Sequence, residues 1–187
     1  GIDMHQMIIE GLTGPIYNVV SIKKLRDDGI ISKSTVVEMI LNYSEDVCEK
    51  MKKASYQEEI DFIITNEKRN KFIAKLVENL PRNENVLILT ASKVKHIPLL
   101  VKELEKIEGR RLLIFNGDVP AEDRARMRKE IALHDNLTIV ATFGVFSTGI
   151  NAPNLQNLIF ATGYKSIIKV LQSLGRMLRL DGKKNWI

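Results

Sequence analysis

The run Gln172-Ser173-Leu174-Gly175-Arg176-Met177-Leu178-Arg179 carries the densest candidate chemistry in the chain. On a helix, residues three and four apart share a face. Gln172, Gly175, Arg176 and Arg179 would then form one patch, with Leu171, Leu174 and Leu178 turned toward a core. Two guanidinium forks beside a glycine suit a polyanion, because they grip phosphate oxygens in pairs and keep their charge at any working pH. A solvated amphipathic helix with ordinary surface arginines satisfies the same pattern, and the run alone does not separate the two.

Residues 141–151, Ala141-Thr142-Phe143-Gly144-Val145-Phe146-Ser147-Thr148-Gly149-Ile150-Asn151, form a second candidate. Small residues and hydroxyls follow a strand that ends at Thr142. Thr142, Ser147 and Thr148 can donate to phosphates, and Gly149 permits positive φ or close backbone approach. A loop leading into a helix cap is the plainer alternative. A third candidate is Asn116-Gly117-Asp118 followed by Arg124 and Arg128, two arginines four apart on one helical face. They could track a nucleic-acid backbone, or simply form a solvated charged face.

The elements that must position these residues are legible in the second half. Val86–Thr90 is a short apolar run of the kind a buried parallel strand needs. Lys93–Ile107 places Val94, Ile97, Val101, Leu104 and Ile107 at helical spacing, with Pro98 near the first turn. Leu112–Phe115, Leu137–Ala141 and Leu155–Ala161 are further strands. Helices are expected from Pro120 to about His134 and over Lys165–Leu180. Repeated strand–helix units predict an α/β fold, a parallel sheet covered by helices on both faces. Right-handed crossovers put the loops that start near Thr90, Asn116, Thr142 and Gly163 on one edge, where open α/β sheets bind ligands.

The first third is less regular. Gly11-Leu12-Thr13-Gly14-Pro15 reads as a turn. Strands are expected over Ile16–Ile22 and Val36–Tyr43, and a short helix over Ile22–Asp28 stopped by Gly29. Glu58–Ile64 and Glu67–Leu80 read as helices.

Composition narrows the function classes. The 187 residues carry a formal charge of +5, a basic bias that fits a nucleic-acid partner without requiring one. One cysteine, Cys48, excludes an intramolecular disulfide. His5, His96 and His134 have no partners at ligand spacing, so no metal site is expected. No stretch approaches the about 18 apolar residues of a membrane span, and no secretory leader opens the chain. A cytoplasmic protein without a membrane partner is expected. The opening without Met and the strand-like close at Asn185-Trp186-Ile187 suggest a piece of a longer protein. The chain contains no GxxxxGK[ST] loop and no apolar strand ending in Asp-Glu, so alone it should not hydrolyse a nucleotide.

Together these segments resemble a known pattern. The strand at 86–90 with Ala91-Ser92, the Gly117…Arg124 stretch, Thr142…Gly149-Ile150-Asn151 and Gln-x-x-Gly-Arg-x-x-Arg follow the order and spacing of motifs IV, IVa, V and VI of superfamily 2 helicases. Gly11-Leu12-Thr13-Gly14 resembles motif III, where the first motor domain hands over to the second, and Leu25-Arg26-Asp27-Asp28-Gly29 the segment that commonly follows it. Ser55-Tyr56-Gln57-Glu58-Glu59-Ile60, Lys68-Arg69-Asn70-Lys71 and Gly144–Ile150 resemble more closely the DNA helicases of T4-like phages.

The resemblance implies a RecA-like second motor domain over 16–187, C-terminally truncated, with 1–15 as the tail of the first domain and hinge. It implies that Arg176 and Arg179 are catalytic arginine fingers on the γ-phosphate. Gln172, Gly175, Gly149 and Asn151 would line the ATP site; many relatives have Asp where Asn151 stands, so an amide would replace a carboxylate at the ribose. Ser92, Arg124 and Thr142 would touch phosphates of the tracked DNA strand, contacts blind to base sequence. ATP and Mg2+ would belong to the complete protein and not to this chain alone. The implied partners are DNA, single-stranded or branched, and a first motor domain in cis; the implied setting is the cytosol of a bacterial or phage-infected cell. A non-catalytic nucleic-acid-binding domain of the same fold is the alternative reading. A dinucleotide enzyme is disfavoured because GxGxxG after a first strand is missing.

Overall fold

The computed structural model describes residues 4–15, 17, 20–31, 35–115, 121–145, 154–163 and 175. Their helices are α1 (Met4–Thr13), α2 (Ile22–Asp27), α3 (Glu45–Lys52), α4 (Tyr56–Thr65), α5 (Glu67–Asn79), α6 (His96–Leu104) and α7 (Ala121–Leu133). The strands are β1 (Asn85–Thr90), β2 (Arg111–Phe115), β3 (Leu137–Thr142) and β4 (Leu155–Phe160). All pairings are parallel and the sheet order is β2-β3-β1-β4.

Strand side chains alternate between faces, and the two halves of the core follow that alternation. Leu87, Leu89, Ile139 and Ala141 join Phe115, Ile131 and Phe143 on one side, with Met127 of α7 packed against them. Val86, Ile88 and Val140 join Ile73, Ala74 and Val77 of α5 and Ile97, Leu100 and Leu104 of α6 on the other. Every residue of β1 is buried. Each fully buried aliphatic side chain there contributes about 1.5–3 kcal/mol. Helices therefore cover both faces, as the strand–helix alternation predicts.

The crossovers obey one handedness. The chain leaves β1, passes α6 on one face and enters β2 on the far side of β3. It then reverses direction along the sheet through α7 on the opposite face. Reversing the direction while keeping a right-handed crossover requires the change of face.

The N-terminal edge is tied by a buried amide. Asn85 donates from Nδ2 to the His134 carbonyl at 2.8 Å and the Asn154 carbonyl at 3.1 Å, and its Oδ1 accepts from Leu137 N at 2.8 Å. One side chain thus closes the end of α7, the start of β3 and the turn before β4.

The first third departs from expectation. Gly11, Leu12 and Thr13 continue α1, and the turn narrows to Gly14, whose φ is 87°. The short helix ends as expected at a positive-φ glycine, Gly29. At the described residues no strand forms over 16–22: Tyr17, Val20 and Ser21 lie outside the sheet, and Ile22 opens α2. Residues 36–43 are not a strand either, and Val36 and Ile40 are 81% and 80% exposed. β-Branched residues favour a strand only when a ladder and a face receive them. The receiving faces are already covered by α5, α6 and α7. The helix expected over 165–180 lies outside the described residues except for Gly175, which is helical.

Candidate functional site

The C-terminal edge of the sheet brings two of the expected residues together. Thr90 and Thr142 are register partners at the ends of β1 and β3. Ser92 lies two residues beyond Thr90. The chain leaves β1 for α6 on one face, whereas the helical turn after β3 carries Phe143 into the core of the other. The strand ends along such an edge are the usual ligand position in open α/β sheets. Thr142 and Ser92 lie at that edge.

Their surroundings differ. Thr90 is fully buried, and its hydroxyl donates to the Ala141 carbonyl at 3.3 Å. Thr142 is partly exposed. Ser92 is partly exposed, and its hydroxyl accepts the Lys95 N–H at 3.1 Å while its carbonyl accepts from His96 N at 3.3 Å and Ile97 N at 3.2 Å. Ser92 therefore closes the turn that leads into α6. The helix itself runs from His96, three residues after the expected start at Lys93. A serine oxygen accepting from the backbone still has its proton to give.

The β1–α6 loop is braced from α4. Lys95 pairs with Asp61, which also accepts from Gln57 Nε2 at 3.0 Å. The Lys95 bond, then the Gln57 bond, hold the Asp61 carboxyl below its ordinary range. Local sequence chemistry sets the α4 and α5 starts. Ser55 and Glu58 form a reciprocal capping box, and Asn66 Oδ1 accepts from Arg69 N at 3.0 Å.

Between α5, α6 and the end of β4 is a polar cluster that sequence reading missed. Arg69 donates to the carbonyl of Ala161, just past β4. Asn70 donates to the Ile64 carbonyl at 3.0 Å and pairs with His96 Nε2 at 3.3 Å. Burial, then the nearby Arg69 charge, push the His96 pKa down to about 4. His96 is therefore neutral at pH 7, with Nε2 as the donor to Asn70 Oδ1. Burial also lowers the Arg69 pKa, but a guanidinium stays charged. The only sequence signal here is the Lys68–Lys71 run, whose contacts are far away along the chain.

Arg124 falls in the first turn of α7, the helix between β2 and β3. Gly175 is exposed, and a β-carbon built on it would meet nothing within 4 Å. Packing within the described chain does not demand that glycine. Gly149, Asn151, Gln172, Arg176 and Arg179 lie outside the described residues. Among the described residues no three His, Cys, Asp or Glu side chains converge, and no helix is long and apolar enough to cross a membrane.

The model of the helicase conserved C-terminal domain matches residues 67–181. The chain is 36% identical over 174 residues to the ATP-dependent DNA helicase uvsW of Enterobacteria phage T4, covering 93% of this chain and 34% of that protein. It is 28% identical over 116 residues to transcript termination protein A18 of Fowlpox virus (strain NVSL), covering 61% and 25%. The chain thus spans about a third and a quarter of these relatives. Among solved structures, that of T4 UvsW superposes with a TM-score of 0.62 at 37% identity, covering 73% of this chain and 27% of that one. The C-terminal part of the Fun30 ATPase domain gives 0.54 at 18% identity, covering 62% and 38%. Domain 2 of the DEAD-box helicase Mss116p, bound to an RNA duplex, gives 0.51 at 20%, covering 67% and 48%. The last two speak to the fold alone, which is that of a RecA-like helicase domain.

Proposed function

Because the chain belongs to the helicase conserved C-terminal domain family, we propose that it is the second motor domain of an ATP-driven DNA helicase or branched-DNA translocase. The observation that carries the reading is the 36% identity to a phage DNA helicase across 93% of the chain. Residues 1–15 would be the hinge from a first motor domain and 16–187 the second domain. The first domain would supply the phosphate-binding loop and Mg2+ ligands. Apolar side chains that α1 exposes, Met4, Met7, Ile8, Ile9 and Leu12, are a surface such a neighbour would cover.

In this reading Arg176 and Arg179 neutralise charge on the transferring γ-phosphoryl group across the interdomain cleft. Gln172, Gly175, Gly149 and Asn151 line the nucleotide. ATP bound between the domains supplies the driving chemistry. Ser92 and Thr142 donate to strand phosphates at the sheet edge, and Arg124 adds charge from α7. Such contacts neutralise backbone and leave bases unread, which a translocating motor needs. The setting is a cytosolic one.

The test is DNA-stimulated ATP turnover and strand separation by the protein carrying both motor domains. The expected result is turnover that depends on DNA. Turnover indifferent to DNA, with no movement of strands, would sink the proposal.

A further inference from the structure

We infer that Arg69 and Asn70 are positioning residues that couple the β1–α6 loop to the β4 loop, and so link DNA contact to ATP turnover. The inference rests on the functional reading above. The two residues are consecutive at the start of α5, and their side chains reach different loops. Arg69 holds the Ala161 carbonyl, while the Ala161 N–H donates to Leu89 of β1 at 2.9 Å. Ala161 is thus pinned from the helix layer and from the sheet. Thr162 and Gly163 follow it, and the chain then runs on to Gln172–Arg179.

Asn70 is 2% exposed and bonded to both Ile64 and His96. His96 is fully buried, and its backbone N–H is tied to Ser92. One unbroken path therefore runs from Ser92 through His96, Asn70 and Arg69 to Ala161. One end is the proposed phosphate contact of the tracked strand. The other leads into the segment with the proposed arginine fingers.

The chemistry argues for position over stability. Burying a cation is costly unless it is well bonded. An apolar residue could pack at Arg69 without that cost. A guanidinium aimed at a main-chain carbonyl fixes where that carbonyl sits. Because neighbouring residues on one helix hold both loops, a shift of one loop would bear on the other.

The experiment uses the protein with both motor domains. The readout is the ratio of ATP turnover at saturating single-stranded DNA to turnover without DNA. Arg69→Ala is expected to lower that ratio about fivefold or more, the scale of an ordinary coupling between sites. Arg69→Lys keeps one donor for the Ala161 carbonyl and should recover most of it. If Arg69→Ala does not fold, Arg69→Gln is read in the same way. An unchanged ratio in the folded variant overturns the coupling alone. A loss that Arg69→Lys leaves wholly unrepaired assigns the effect to packing and overturns it too. A wild-type protein that DNA does not stimulate overturns both this inference and the functional reading.

Discussion

Thr90 and Thr142 stand side by side at the ends of β1 and β3, yet only Thr90 is fully buried. The Thr90 hydroxyl is committed to the Ala141 carbonyl. Thr142 is partly exposed at the same edge. The same residue type therefore has a structural task on one strand and a proposed binding task on the next.

That difference predicts opposite phenotypes. Thr142→Val removes a donor to phosphate and should weaken DNA binding about tenfold, since a hydrogen bond to a charged group contributes about 1.5–3 kcal/mol. The loss should be equal for strands of different sequence in an anisotropy titration. Thr90→Val should leave DNA affinity intact and cost about 1 kcal/mol in a denaturant melt. Reversed results would exchange the two roles.

The proposed fingers predict a loss of chemistry without loss of fold. Arg176→Ala or Arg179→Ala, in the protein with both motor domains, should cut ATP turnover by about a thousandfold, the lower range for such arginines. Circular dichroism should be unchanged. Normal turnover in both variants would return these residues to the surface.

This chain by itself should bind DNA weakly and turn over no ATP. With few phosphate contacts, its log affinity should fall linearly with log salt, with a slope of roughly −0.7 per phosphate on single strands. A salt-independent or base-specific complex would contradict backbone binding. ATP turnover by the purified chain would contradict the division of the site between two domains.

The Asn85 clamp predicts a stability effect remote from the site. Asn85→Ala strands the Leu137 N–H and the Asn154 carbonyl, both at buried residues, and withdraws a donor from the His134 carbonyl. The expected cost is about 3 kcal/mol in a urea melt. A loss below about 1 kcal/mol would mean that water replaces the amide.

His96 predicts a pH dependence. Its folded pKa is about 4 against 6.5 for a free histidine. Between those values the unfolded chain takes up a proton that the native state refuses. Stability is therefore complete above pH 6.5 and falls as pH drops toward 4, by up to about 3 kcal/mol. His96→Gln, which retains a donor for Asn70, should flatten that slope in melts run from pH 7 to 4.5. An equal slope in the variant would locate the titration elsewhere.

The four strands, their boundaries within a residue or two, and helices α4 to α7 were legible because their signals are local. Val86–Thr90 is apolar because both its faces are covered, and α4 declares itself through Ser55 and Glu58. The candidate run at 172–179 and the hydroxyls at Ser92 and Thr142 were legible as residue types at a spacing. The run at 36–43 misled because β-branched residues announce a preference, not a partner, and its side chains are exposed instead.

The sequence by itself therefore determined the parallel α/β plan, the edge on which loops gather and the family of its motifs. Only the tertiary structure decided the order β2-β3-β1-β4, which sets the ends of β1 and β3 side by side. It also decided which polar residues are buried. Arg69 and Ala161 are 92 positions apart, and Asn70 and His96 are 26 apart. Nothing in their local patterns distinguishes them from a solvated helix face. Hydrophobic periodicity is a property of each segment, whereas the partner of a buried polar group is settled by which segments meet.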